Sequence, residues 1–363
     1  MSFPLAPLPL PPTVQLESVA ILKQLARAHR RLAELKGAVT AIPNEAILID
    51  TLGLREAKDS STIENIITTE DELFQADVLG GKFESPAAKE VHNYAAALKV
   101  GFRHVRKEGI IRLKHILEIQ ALLIENHAGL RCTPGTVLKN ARTGAVVYEP
   151  PQDPAEIERL MSNFVEHLNR NEPGDPDPLI RMAILHYQFE SIHPFYDGNG
   201  RTGRILNLLH LVLHGLLDLP VLYLSSHIVQ QKASYYNGLQ AIREAGDWEG
   251  WILFILEAVE VTASETLVTV EKIKGLIAGT KLRLRNELPG IYSQDLLNNL
   301  FRHPYTRIEF VERDLGVSRP TAAKYLEAMA KAEILRKLRI GRNNYYVNGP
   351  LFELLKEHSG QEA

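Results

Sequence analysis

The chemistry legible in this chain is concentrated in twelve residues, His193-Pro-Phe-Tyr-Asp-Gly-Asn-Gly-Arg-Thr-Gly-Arg204. Gly198 and Gly200 let backbone N–H groups approach an anion, and a helix starting near Arg201 turns its unpaired N–H groups and positive dipole end to the same place. Arg201 and Arg204, three apart, can add two guanidinium groups from one helix face against further phosphates. Asp197 offers a hard oxygen of the kind Mg²⁺ takes beside phosphate and water. His193 is a natural acceptor for the proton of an attacking hydroxyl, because imidazole works near neutral pH. Taken singly, these residues have ordinary explanations: a surface histidine, a turn, a solvated helix face. Together they describe a phosphate cradle with a base and a metal ligand.

Such a loop needs rigid flanks, and the sequence is helical on both sides of it. Leu179 to about Ile192 leads in, behind the turn-rich connector 171–178, and the apolar run Ile205–Leu217 leads out. His210 and His214 in that run have apolar neighbours and read as core histidines rather than a zinc pair. Upstream, apolar spacing predicts a helix over Val14–Lys36 with Gly37 as C-cap, then Glu45–Leu54, Ser60–Thr68, Ala87–Arg106 and Arg112–His127. Val137–Tyr148, with turn residues at 141–144, reads as a β-hairpin, and Ala155–Asn169 as helix. Gly80-Gly81-Lys82 lacks the spacing of a phosphate loop and is read as a plain loop. Trp248–Gly275 forms a helical link to a last segment. There, Ile308–Leu315 and Ser318–Ala332 suggest helix-turn-helix, with strands Leu335–Ile340 and Tyr345–Val347 as a wing. The expected organisation is an N-terminal helical region 1–111, a core 112–258, a linker 259–284 and a winged-helix domain 285–363.

Composition narrows the classes. The chain has 363 residues, 45% of them hydrophobic, and a formal net charge of −3, so it can build a core and carries no global basic field. Its single cysteine, Cys132, excludes an internal disulfide and fits a cytoplasmic setting. The proline-rich N-terminus lacks the pattern of a signal peptide, and no run is long enough to cross a bilayer. No membrane partner is expected.

His193, Phe195, Asp197, Gly198, Asn199, Gly200, Arg201 and Arg204 match every specified position of the Fic family signature, His-x-Phe-x-Asp/Glu-Gly-Asn-Gly-Arg-x-x-Arg. The chain therefore resembles a Fic family protein adenylyltransferase. That resemblance implies a mainly α fold, a helical core with a small β-hairpin flap, and transfer of AMP from ATP to a Tyr, Thr or Ser hydroxyl of a target protein. It implies that His193 is general base and that Asp197 holds Mg²⁺ (or Mn²⁺). Gly198, Gly200 and Asn199 would bind the α-phosphate, and Arg201 and Arg204 the β- and γ-phosphates. Phe195 would be packing, and Tyr235 and Tyr236 resemble the family's adenine contacts, with ordinary core packing as the alternative.

Ser60-Ser-Thr-Ile-Glu64-Asn65 resembles the family's inhibitory motif, Ser/Thr-x-x-x-Glu-Gly/Asn, on a helix at about 57–68. Ser60 and Glu64 would share a helix face, with Glu64 competing for Arg204. The same residues also spell a capping box, Ser61-x-x-Glu64, at a helix start.

Two other functions compete. Between Lys281 and Arg342 thirteen Lys/Arg face seven Asp/Glu, a local excess that suits DNA contact by the winged helix. Yet the second helix, rich in alanine, offers few side chains to read base edges. Phosphoryl transfer, as in the related Doc branch, is disfavoured by the glycine at 200, while removal of AMP by the same site stays open. A homodimer also stays open.

Overall fold

A computed structural model of the chain describes residues 5–69, 71–74, 83, 85–140, 143–340 and 343–356. Five of its early helices begin at a side-chain cap. Ser18, Asn44, Ser85, Asp153 and Asp177 each accept the backbone N–H two or three residues on, starting α1 (Val19–Val39), α2 (Glu45–Ile63), α3 (Pro86–Glu108), α5 (Pro154–Asn169) and α6 (Pro178–Ile192). Prolines 86, 154 and 178 stand first in three of them, where a missing N–H costs nothing. α4 spans Leu113–Ile124.

The structure is 67% helix with small antiparallel sheets. α6 and α7 (Asn199–Leu213) form the central pair: every residue from Leu179 to Ile192 is buried, the polar Arg181, His186, Gln188, Glu190 and Ser191 included. His210 and His214 point into this core, where their Nε2 atoms meet the carbonyls of Pro178 and Leu168 at 2.8 and 3.1 Å. α8 (Leu224–Gln230) and α9 (Lys232–Ala245), which apolar spacing does not single out, complete the middle. The hairpin pairs β1 (Leu138–Lys139) with β2 (Val146–Tyr148); part of its turn, 141–142, lies outside the described residues, as does Gly80-Gly81-Lys82.

Two expectations need correction. α1 continues through Gly37 and is capped at Thr40, because Leu32, Leu35 and Val39 bury against the rest of the protein and outweigh the roughly 1 kcal/mol that glycine costs inside a helix. The stretches 45–54 and 60–68 belong to one helix as far as Ile63, and residues 64–69 are not helical. Arg55 and Glu56 interrupt the apolar pattern yet are buried: Arg55 lies 4.5 Å from the Tyr223 ring centroid, and Glu56 accepts from the Ser225 amide at 3.1 Å and Tyr94 Oη at 3.2 Å.

α10 (Trp248–Glu287) is one helix of 40 residues, tied to α1 by Ser18–Glu249 and Gln24–Glu260 hydrogen bonds of 2.5 and 2.8 Å. Beyond it come α11 (Gln294–Arg302), β3 (Tyr305–Thr306), α12 (Ile308–Leu315), α13 (Arg319–Lys331), β4 (Arg336–Ile340), β5 (Asn343–Val347) and α14 (Gly349–Lys356). The three strands form an antiparallel sheet in the order β3-β5-β4. α11, β3 and α14 are additional to the two helices and two strands that the sequence pattern gives. Among the described residues no helix is long and apolar enough to cross a membrane.

Candidate active site

The site forms where α6 ends and α7 begins. His193 closes α6 in the left-handed region, φ 48° and ψ 57°, and Gly198 opens α7 at φ 77°. Gly198 is required twice over: its φ disfavours other residues, and a Cβ there would lie 2.7 Å from Ile124 Cδ1. Asn199 shapes the loop between them. Its amide accepts from Phe195 N at 2.8 Å and donates to Phe195 O at 2.7 Å, so this side chain staples the loop. Phe195 is fully buried beneath it. The first-turn N–H groups of α7 have no partners within the helix and lie at the positive end of its dipole.

Around that end the charged side chains are already paired. Arg201 donates to Glu90 on α3 at 2.6 Å and lies 3.8 Å from Asp197. Arg204 is buried, with Nε donating to Ser60 Oγ at 2.8 Å and Nη2 to Ser60 O and Glu64 Oε1, both at 2.9 Å. Thus Ser60 and Glu64 grip one guanidinium from the end of α2, across 140 residues of sequence. Burial alone would raise the Glu64 carboxyl; Arg204, with Arg201 and Lys232 further off, brings it below its ordinary value. A Cβ at Gly200 would collide with Glu64 Oε1 and come within 2.9 Å of Arg204 Nη1, so the glycine makes room for this closed arrangement.

The capping-box alternative is overturned, because Glu64 is the C-cap of α2 and lies at the wrong end of the helix. Asn65 comes next at φ 62°, where only glycine and asparagine are readily accommodated, and accepts from Lys232 Nζ at 3.2 Å. The Gly/Asn position of the motif thus has a backbone cause.

His193 is held neutral. Burial, then Arg131, lowers its pKa to about 4, against smaller opposing effects of the Glu190 carbonyl and Glu64. Asp197 uses Oδ1 on the Gly198 amide at 2.6 Å while its side chain remains 69% exposed. The tyrosine pair divides. Tyr235 is core, its Oη 2.8 Å from His186 Nε2 and its ring beside Trp251; Tyr236 is 46% exposed, and the nearby Glu64 helps raise its hydroxyl, already raised by burial, to about 12. Four residues around the site carry no sequence signal: Glu90, Arg131, Glu190 and Lys232. The partners of Glu90, Arg131 and Lys232 lie far along the chain, and no local spacing marks such pairs. Glu190 is buried with its carboxyl raised to about 7 by desolvation, partly offset by Arg204.

Residues 22–103 match the model of the Fic/DOC family N-terminal region, 110–211 the Fic/DOC family, and 276–351 the C-terminal domain of proteins described as protein adenylyltransferase SoFic-like. The protein adenylyltransferase Fic of Aedes aegypti is 31% identical over 48% of this chain and 33% of its own length; that of Drosophila grimshawi is 27% identical over 47% and 34%. The chain thus spans about a third of the length of the curated relatives it matches. Among solved structures, a Fic family protein from Desulfovibrio desulfuricans superposes with a TM-score of 0.60 at 21% identity, covering 94% of this chain and 98% of that one. Fic-1 from C. elegans gives 0.51 at 20% identity, covering 69% and 73%.

Proposed function

This chain belongs to the Fic/DOC family, and on that premise we propose that it transfers AMP from ATP to a hydroxyl side chain of a protein and is restrained by Glu64. The observation that carries the reading is the grip of Ser60 and Glu64 on Arg204 beside an unpaired helix N-terminus. A guanidinium at that place suits a terminal phosphate, and a carboxylate on it is a competitor for the same partner.

In the reaction, the hydroxyl oxygen of the target bonds to the α-phosphorus, the bond from that phosphorus to the β-bridging oxygen breaks, and pyrophosphate leaves. The neutral imidazole of His193 takes the hydroxyl proton. Gly198 and Gly200 keep the loop open to the phosphates, the α7 amides receive the α-phosphate, and Asn199 fixes the loop that presents them. Arg204, and Arg201 once it shares Glu90, hold the remaining phosphates. Asp197 fits Mg²⁺ or Mn²⁺, since it is an exposed hard oxygen donor beside the phosphate-binding end; the ion would neutralise polyphosphate charge. Tyr236, rather than the buried Tyr235, faces the space where adenine would lie. The β1–β2 hairpin, with Val146 and Val147 exposed, serves as flap for the target segment. We place the division of labour at 1–111, 112–258, 259–284 and 285–363, with a winged helix at the C-terminus and a cytoplasmic setting. DNA contact by that last unit is the weaker reading, because Arg319 and Lys337 are already paired with Glu309 and Glu327.

Labelled ATP tests the proposal. With Mg²⁺, label from the α-position should become attached to protein and label from the γ-position should not. Attachment of γ-label alone would assign phosphoryl transfer instead.

A further inference from the structure

Arg131 is 1% exposed, and among the described residues it makes no ion pair. A buried guanidinium without a carboxylate is costly, so its hydrogen bonds must explain its place. Nε donates to the carbonyl of His193 at 2.7 Å; Nη2 donates to that of Pro151 at 2.8 Å and, more weakly, to that of Ile192 at 3.4 Å. Two of these acceptors are the final carbonyls of α6, which lack helical partners and lie at the negative end of its dipole. The third belongs to Pro151, in the irregular segment that follows β2. The backbone beside Arg131 repeats the connection: its own N–H donates to Pro194 O at 2.8 Å, and the N–H groups of Cys132 and Thr133 donate to Tyr196 Oη at 2.9 and 3.2 Å. Tyr148 at the end of β2 donates to Ser191 O at 3.0 Å.

Every one of these contacts ends on residues 191–196 or on the hairpin's own base, around a histidine whose positive φ needs support. From this geometry we infer that Arg131 positions His193 for proton transfer and clasps the base of the hairpin flap to the histidine loop, so that target segment and base are aligned as one unit. This rests on the reading of His193 as base. The charge also acts on the ring. Arg131 and Arg243 face His193 as cations, Glu64 as an anion, and the Glu190 carbonyl as an acceptor; Tyr148 and Tyr196 face Arg131 itself.

The test uses the full chain carrying Glu64→Gly, with Arg131→Met and Arg131→Lys added separately. Titration of the His193 imidazole by NMR, assigned through His193→Ala, reads the charge and needs no turnover. Incorporation of α-label into the chain and ATP affinity read the alignment. Arg131→Met should move the imidazole pKa upward towards its ordinary value, and Arg131→Lys should leave it low. Both should lower incorporation by about tenfold or more at unchanged ATP affinity, because an ammonium cannot reproduce the fork across three carbonyls. Should Arg131→Met not fold, Arg131→Lys alone decides: incorporation at the parental rate overturns the inference. So does a parental His193 titration in folded Arg131→Met. If the Glu64→Gly parent itself attaches no α-label, the transferase reading fails while the titration still reports on Arg131.

Discussion

At the scale of single residues, Arg204 Nη2 donates to Glu64, and the proposed restraint has a γ-phosphate competing for that same nitrogen. The Glu64 side chain is 37% exposed, so solvent screens the pair and its bias is about 1–2 kcal/mol rather than that of a fully buried ion pair. Glu64→Gly should therefore raise AMP incorporation by roughly 5- to 30-fold. ATP can replace the lost carboxylate, so no buried charge is stranded when nucleotide is bound. A folded Glu64→Gly protein no more active than its parent, measured with α-labelled ATP, removes the self-inhibition reading.

The element that presents Glu64 is the last turn of α2, and its geometry depends on a left-handed residue directly after the cap. Asn65 supplies that conformation, which costs most other residues about 1–2 kcal/mol. Asn65→Gly should keep the turn and the low basal rate. Asn65→Val, β-branched and strained at this φ, should fray the turn, move Glu64 off Arg204 and raise basal incorporation towards the Glu64→Gly level. Equal basal rates in the two variants would show that the turn does not set the position of Glu64.

On the scale of the whole molecule, α2 is held by elements from both ends of the chain. Asp50, in the second turn of α2, pairs with Lys99 on α3 and Arg302 on α11, each at 2.6 Å. Just beyond the Glu64 turn, Asp71 accepts from Tyr305 Oη at 2.9 Å, and the Phe74 and Phe352 rings meet edge to face at 6.0 Å. The C-terminal unit therefore braces the element that carries Glu64. Partly exposed pairs contribute up to about 1 kcal/mol, so Arg302→Ala should raise basal incorporation by at most about fivefold. In a Glu64→Gly background the same substitution should change nothing, since there is no restraint left to loosen. An equal effect in both backgrounds would place the action of Arg302 elsewhere.

Local chemistry made the His193–Arg204 loop legible: its residues are contiguous because a helix end and its preceding turn are built from neighbouring residues, and their spacing is therefore written in order. Several helix starts were legible to within a residue or two from apolar spacing, but the first was not: the spacing pointed to Val14, whereas Ser18 caps a start at Val19. The motif Ser60 to Asn65 was readable as a pattern, whereas its place at the end of α2 was not, because Arg55 and Glu56 look like a break until Tyr223, Ser225 and Tyr94 come to meet them. Only the packed chain decided that Tyr235 is core while Tyr236 faces the site, and that Arg201 answers to Glu90 and His193 to Arg131. The two arginine relations join residues 111 and 62 positions apart, and a side chain carries no mark of a partner that only tertiary packing brings within reach.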